Sequence, residues 1–343
     1  MMTFKAVQNA KDCAAYFAEK DNYYLSDEAK YLPHWMGKGA EDLGLQGVID
    51  QMQFERLLEG ILPNGQVIGL QKNGEYNHRA GFDITFSAPK TVSLLALLVG
   101  DKRFLEIHGR AVVTTVNEIE RFCAQARTAG EDGKTVFENT ENLVAALFPH
   151  DTSRSLDPQL HTHVVIANMT KRLDGRWRAL ASNRAKSGEV VQGFFERIHD
   201  YQLYFSSIYR SEMAKELKAL GFGLELTGQH GQFEIKGIPK DLIEFFSKRR
   251  AEVLTSTDAL GFDTPKARDV AALNTRQAKR PISREELSVF WKTQMNESGY
   301  SLEFLENFAK LLERPFSQDD LMRSDAQEQQ DKKKHLKKPF TTQ

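Results

Sequence analysis

The chain has 343 residues, 41% hydrophobic and 27% charged, which is enough for one large globular domain or two ordinary ones. Basic and acidic residues nearly balance at a net charge of −1, so there is no global basic surface and any nucleic-acid surface must be local. Two cysteines, Cys13 and Cys123, exclude a disulfide framework and fit a reducing cytoplasm; the N-terminus lacks the apolar core of a signal peptide, and the longest apolar run, Val92 to Val99, is too short to cross a bilayer.

In chain order, residues 9–20 have helix-forming composition with Asn9 as the cap, and Tyr16 lies on that segment. DNYY follows, with Tyr23 and Tyr24. Three tyrosines within nine residues, beside Asp21 and Asn22, point to chemistry, against the plainer account of core packing. GKGAEDLGLQG at 37–47 and the Pro63-Asn64-Gly65 turn come next. Residues 76–86 alternate like a strand that carries Asp83. Ser87 is the expected N-cap of a helix with Pro89 in its first turn, ending at Gly100. A second helix is expected from Lys102 to Arg127, with an apolar stripe through Phe104, Ala111, Val112, Val116, Ile119 and Cys123. Gly133-Lys134-Thr135 is not a phosphate-binding loop, because Thr128 stands where that motif needs glycine; it reads as a loop before the next strand.

The stretch from 148 to 168, FPHDTSRSLDPQLHTHVVIAN, holds three of the nine histidines. His161 and His163 lie two apart in a Val/Ile-rich strand, so they share one face. His150 ends a second apolar run, 143–148, and the link contains the Asp157-Pro158 turn signal. Antiparallel pairing of the two runs would bring three imidazoles together as an open metal site. Imidazoles suit zinc, nickel or copper better than magnesium. Asp83 would orient one ring through its second N–H if its strand is a neighbour; a solvated or capping aspartate is the alternative.

Beyond the histidines, Leu173-Asp174-Gly175 signals a hairpin. Six basic residues (Lys171, Arg172, Arg176, Arg178, Arg184 and Lys186) against Asp174 make the clearest positive patch, either a solvated face or a phosphate contact. A helix at 190–220, a hairpin at 223–238 turning at His230-Gly231, and helices at 240–254 and 283–312 follow. Residues 262–280 are basic and suit either an arm over DNA or a surface linker. The 326–343 tail has the composition of disorder.

The chemistry these parts assemble is a metal-polarised phosphoryl group attacked in line by a tyrosine, with a 3′ hydroxyl leaving. Three readings compete. The first is a strand-specific DNA transesterase. The second is a rolling-circle replication or transposition nuclease with the same chemistry. The third is a non-catalytic single-stranded DNA binder.

On YF…DNYY, GKGAEDLGLQG, GFDITFSAPKTVS, FPHDTSRSLDPQLHTHVVIAN and KARDVAALNTRQAKR, the chain resembles the relaxase domains of conjugative plasmid transfer proteins of the TraI and TrwC type, within the His-hydrophobe-His endonucleases. The resemblance covers roughly residues 1–300. It implies an α+β fold: a central antiparallel sheet of about five strands, flanked by helices, with a mostly helical C-terminal lid, 262–300, over a DNA cleft. Residues 301–343 would be a helical end and charged tail. It further implies that Tyr16 forms a 5′-phosphotyrosine link at the nick site of a transfer origin and that Tyr23 or Tyr24 serves a second transfer. His150, His161 and His163 would bind the divalent metal (magnesium or manganese in the cell, zinc or nickel also accepted), supported by Asp83. Arg154 would lie near the scissile phosphate, and Gln202 and Arg210 fall where the family reads DNA.

Implied partners are single-stranded origin DNA with an inverted-repeat hairpin, relaxosome accessory proteins and a type IV secretion coupling protein, in the bacterial cytoplasm, without membrane insertion. Phe17 stands where relatives often carry another tyrosine, and Thr162 where a large hydrophobe separates the histidines. Relatives usually continue into a helicase. No Walker loop occurs in these residues, which fits a stand-alone relaxase or part of a longer protein.

Overall fold

The structure, a computed structural model, describes residues 2–18, 32–72, 75–183, 190–259 and 282–310, and positions 264, 267, 270, 271 and 275. The chain opens with β1 (Met2–Val7) and α1 (Ala10–Ala18). Asn9 caps α1 as expected, its side-chain oxygen accepting the Asp12 N–H at 3.1 Å. Then come β2 (His34–Met36), α2 (Lys38–Asp42), α3 (Gln51–Leu58), the hairpin β3 (Leu70–Lys72) and β4 (Glu75–Asn77), β5 (Gly81–Ser87), α4 (Lys90–Leu97) and α5 (Lys102–Cys123). A hairpin of β6 (Gln125–Ala129) and β7 (Thr135–Asn139) precedes β8 (Ala145–Thr152), β9 (Pro158–Ala167) and the short pair β10 (Thr170–Lys171) and β11 (Trp177–Arg178). The remainder is α6 (Phe194–Asp200), α7 (Gln202–Ala219), the hairpin β12 (Leu224–Leu226) and β13 (Phe233–Ile235), α8 (Lys240–Phe245), α9 (Lys248–Ala259), α10 (Arg284–Glu297) and α11 (Leu302–Lys310).

Five strands form one antiparallel sheet in the order β1-β5-β9-β8-β2. The alternation of side chains divides β5 and β9 between two cores. Phe82, Ile84, Phe86, Val164 and Ile166 pack with α4, α5, α6 and α7 in the larger core. Val165, Ala167, Phe148 and Ala146 pack with Phe17 of α1 and Phe54, Leu57 and Leu58 of α3. The architecture is therefore α+β, with helices on both faces of the sheet, as the resemblance implies.

GKGAEDLGLQG is built for close approach. Gly37 has φ 102°, and a Cβ on Gly39 would lie 2.7 Å from the Leu143 carbonyl oxygen. The buried Glu120 carboxylate accepts the N–H groups of Lys38 and Leu143 at 2.9 and 2.8 Å, tying α2 to the segment before β8. The motif thus sits at the end of β8 away from His150.

Several boundaries differ from expectation. α5 stops at Cys123, not Arg127, because Gln125–Ala129 pairs with Thr135–Asn139 around the Gly133 turn. The 190–220 helix is two helices meeting at Tyr201, and the 240–254 segment breaks before Lys248. Gly299, with φ 83°, separates α10 from α11.

Ser87 does not cap α4. It is the last residue of β5, opposite His161. The cap is long-range: Glu234 of β13 accepts the backbone N–H groups of Lys90 and Thr91 at 3.2 and 2.9 Å and the Thr91 hydroxyl at 2.6 Å. A carboxylate at a helix N-terminus satisfies orphan donors and the helix dipole together. Glu234→Ala should therefore destabilise the fold by about 1–2 kcal/mol, read as a lower urea midpoint with unchanged slope.

Candidate active site

Three adjacent strands and α1 build the site. Directly opposite residues in an antiparallel pair point to the same face. His150 lies opposite His161, and Phe148 opposite His163, while Thr85 lies opposite His163 on the other side. His150, His161, His163, Asp83, Thr85 and Ser87 thus share the face on which α1 rests. The three imidazole centroids are 5.2–5.3 Å apart, and one nitrogen from each ring lies within 4.8 Å of the other two.

Two rings have their tautomer set by acceptors. His161 Nδ1–H donates to the Gln159 carbonyl at 2.8 Å. His163 Nδ1–H donates to the Asp83 carboxylate, 2.9 and 3.1 Å from its two oxygens. Each leaves its Nε2 lone pair for a ligand, the arrangement a histidine-bound cation requires. The Thr85 hydroxyl donates to Asp83 at 3.4 Å and stands 3.0 Å from the same His163 nitrogen. Lys5 Nζ completes the set, 3.0 Å from Asp83. Burial alone would raise the Asp83 carboxyl, but His163 and Lys5 outweigh it and hold the group well below the usual carboxylate range. Burial, reinforced by His163, pushes His161 down to about 3, so it is a neutral donor at physiological pH.

Helix α1 delivers the aromatic residues. Phe17 is buried and stacks on Phe148 with centroids 4.2 Å apart, its edge against His163 at 5.3 Å. Tyr16 is half-buried, with its ring 6.3 Å from His163 and edge-on. Tyr23 and Tyr24 lie outside the described residues.

Thr162 points to the opposite face, where its hydroxyl lies 2.8 Å from His108 Nε2; His108 Nδ1 lies 2.7 Å from the Tyr209 hydroxyl. Residues on α5 and α7 thus replace the hydrophobic contact expected at this position with a buried hydrogen-bonded chain. Burial pushes His108 down to about 3. For His108 and His161 the folded value lies below the unfolded 6.5, so the unfolded chain binds the extra protons and stability is lost as pH falls from about 6.5 toward 3. Each group contributes at most about 1.4 kcal/mol per pH unit. Burial raises Asp157 to about 6, the opposite sign, so it offsets one histidine between about 6 and 3.8. A lower urea midpoint at pH 5 than at pH 7 is the expected measurement.

The other expected site residues are dispersed. Arg154 lies on the turn between β8 and β9. Lys171 pairs with Asp42 at 3.2 Å, and Arg172 with Glu138 at 3.1 Å and Asp174 at 3.3 Å. Those contacts fasten the β10–β11 hairpin and reduce the net charge of the basic patch. Arg176 lies 3.9 Å from Asp174, and Arg178 donates to the Trp177 carbonyl. Gln202 donates to the Met2 carbonyl at 3.1 Å. Arg210 is buried, and its Nε and one terminal nitrogen make no hydrogen bond among the described residues. Arg184 and Lys186 lie outside the described residues. Lys5, Thr85 and His108 were missed from sequence. Thr85 was readable, two residues from Asp83 on one strand; Lys5 and His108 depend on pairings far apart in the chain.

The profile of the TrwC relaxase family matches residues 10–298. The multifunctional conjugation protein TraI of Escherichia coli is 41% identical over 303 residues, covering 88% of this chain and 16% of the relative; the TraI of strain K12 gives the same values. The chain thus spans about one sixth of the length of the curated relatives it matches. Among solved structures, TrwC complexed with a 27-mer DNA comprising the recognition hairpin and cleavage site is 35% identical with a TM-score of 0.74. Copper-bound TrwC with oriT DNA is 35% identical with a TM-score of 0.76. Each comparison covers 88% of this chain and all of the other. With the profile spanning most of the chain and the fold matching over the same extent, the protein belongs to the TrwC relaxase family.

Proposed function

We propose that this chain nicks one strand of plasmid DNA at a transfer origin and later rejoins it, through a covalent 5′-phosphotyrosine link to Tyr16. The observation that carries the reading is the Tyr16 ring beside His163, in a cluster of three imidazoles. His150, His161 and His163 would hold a divalent cation, magnesium or manganese in the cell, with zinc or nickel also suited to imidazole. When bound, that ion supplies positive charge that polarises a phosphate oxygen. The pairing with Asp83, itself held by Lys5 and Thr85, keeps His163 in the ligating tautomer.

The Tyr16 oxygen forms the bond to phosphorus while the bond from phosphorus to the 3′ oxygen breaks. The phenol loses one proton and the departing 3′ hydroxyl gains one. The phosphotyrosine keeps the bond energy, so attack by a 3′ hydroxyl rejoins the strand without ATP. Tyr23 or Tyr24 would serve a second transfer. Arg154 would face the scissile phosphate, with Lys171, Arg172, Arg176, Arg178, Gln202 and Arg210 as candidate contacts to the DNA. Residues 1–300 would form the nicking unit, with 262–300 covering the strand and 301–343 outside it. An origin hairpin, relaxosome accessory proteins and a secretion coupling protein are the partners this role needs.

The oriT complexes of TrwC favour transfer-origin nicking over the rolling-circle alternative. The test is mass spectrometry of the tyrosine peptide left on an oligonucleotide that spans a candidate origin. A Tyr16 peptide is expected, and absence of any adduct across plasmid origins would sink the reading.

A further inference from the structure

The turn between β8 and β9 is held from outside. Leu156 has φ 59°, a left-handed conformation that L side chains rarely adopt and that persists only where the surroundings hold it. Within the turn, the Leu156 N–H donates to the Ser153 carbonyl at 3.0 Å, and the Ser153 N–H to the Asp157 carbonyl at 2.9 Å. Further contacts come from α9 and α10, with Leu97 of α4 and Leu98 also packed against the Leu156 cluster. The Trp291 indole N–H donates to the Leu156 carbonyl at 2.7 Å, and Leu156, Leu287 and Trp291 form a small apolar cluster separate from both main cores.

From α9, Glu252 accepts from the Ser155 hydroxyl at 3.1 Å. The Lys248 ammonium lies 3.9 Å from the Asp157 carboxylate, stands over the Phe290 ring and donates to Gln294. Two C-terminal helices are thereby bound to each other and to three consecutive residues of the turn. The same turn carries Arg154 and follows an irregularity in pairing between His150 and Thr152.

We propose that Trp291 is a positioning residue: by holding Leu156 in its left-handed conformation it fixes the β8–β9 turn, and with it Arg154, for engagement of the DNA strand. The role rests on the nicking reading above, although the latch itself does not. The latch explains why a leucine occupies a position that glycine or asparagine would fill more easily. Its side chain is needed as the surface on which α10 seats.

The test uses the full chain, with Trp291→Phe, which keeps the apolar ring and removes the donor, and Leu156→Gly, which takes the same φ without strain. Hydrogen exchange of the 153–160 segment is measured together with cleavage of a nick-site oligonucleotide at varied concentration. Trp291→Phe should speed exchange of the Leu156 amide about tenfold. It should also raise half-saturation about tenfold while changing the saturated rate less than about threefold. In a Leu156→Gly background the same change should add little, because the two residues act as a unit.

Unchanged exchange overturns the latch. Faster exchange with unchanged half-saturation, or effects that simply add, overturns the positioning role. A parent chain that nicks no origin oligonucleotide sinks the nicking reading alone, and the exchange comparison still decides whether Trp291 holds the turn.

Discussion

Tyr16→Phe should abolish the covalent adduct with a nick-site oligonucleotide, a loss of at least about 10³-fold, while oligonucleotide affinity changes by less than about threefold. The substitution removes one oxygen and keeps the ring between Phe17 and His163, so the packing that seats α1 on the sheet survives. Because Tyr16 is half-buried and its ring is retained, stability should move by no more than about 1 kcal/mol. A band shifted on a denaturing gel reads the adduct, and a filter or anisotropy assay reads binding. An adduct that persists moves the nucleophile to Tyr23 or Tyr24. A protein that only binds single strands would show no difference between the two forms in either assay.

His161→Ala should remove metal-dependent cleavage, again by about 10³-fold or more, because charge stabilisation at a phosphoryl oxygen is worth several kcal/mol and two imidazoles hold a cation far less well than three. Calorimetric titration with manganese should show the affinity loss directly, and chelation of the unmodified protein should reproduce the activity loss. Full activity in chelator would count against the metal role. An independent readout comes from acid titration. The wild-type ring is held near 3 in the folded protein, so its removal should flatten the fall in stability between about pH 6.5 and 3 while leaving stability at pH 7 nearly unchanged. Loss of cleavage with a flatter acid limb locates the defect in the ligand, whereas loss at pH 7 of both folding and cleavage would locate it in the sheet.

Much of the site was legible because it is strand-encoded. The i, i+2 spacing of His161 and His163 fixes their common face whatever the strand pairs with, and the Asp157-Pro158 turn makes a hairpin the economical way to bring His150 round. Asp83 could be placed on a strand, and its role was conditional on that strand being a neighbour; the β5–β9 pairing meets the condition, with His163 Nδ1 2.9 Å from the carboxylate. Ser87 shows the opposite case. Its serine-x-proline context reads as a helix cap, yet the residue completes a strand, and Glu234, 144 residues from Lys90, does the capping. Local capping rules cannot register an acceptor that arrives from another hairpin. Nor does the basic run at 171–186 reveal its acidic partners, because Asp42 beside Lys171 and Glu138 beside Arg172 lie far from it in sequence.

Sequence by itself determined the shared face of His161 and His163 and the tyrosine-bearing first helix, since alternation and helical period are properties of consecutive residues and survive any arrangement of the elements; the α+β fold followed from the family resemblance that its motifs carry. The tertiary structure alone decided that β1 brings Lys5 to Asp83, that His108 and Tyr209 anchor Thr162 from behind, and that α10 grips Leu156. Each of these joins residues about 50 to 135 positions apart, and the free energy of such contacts comes from burial and hydrogen bonding between elements whose adjacency no local pattern records.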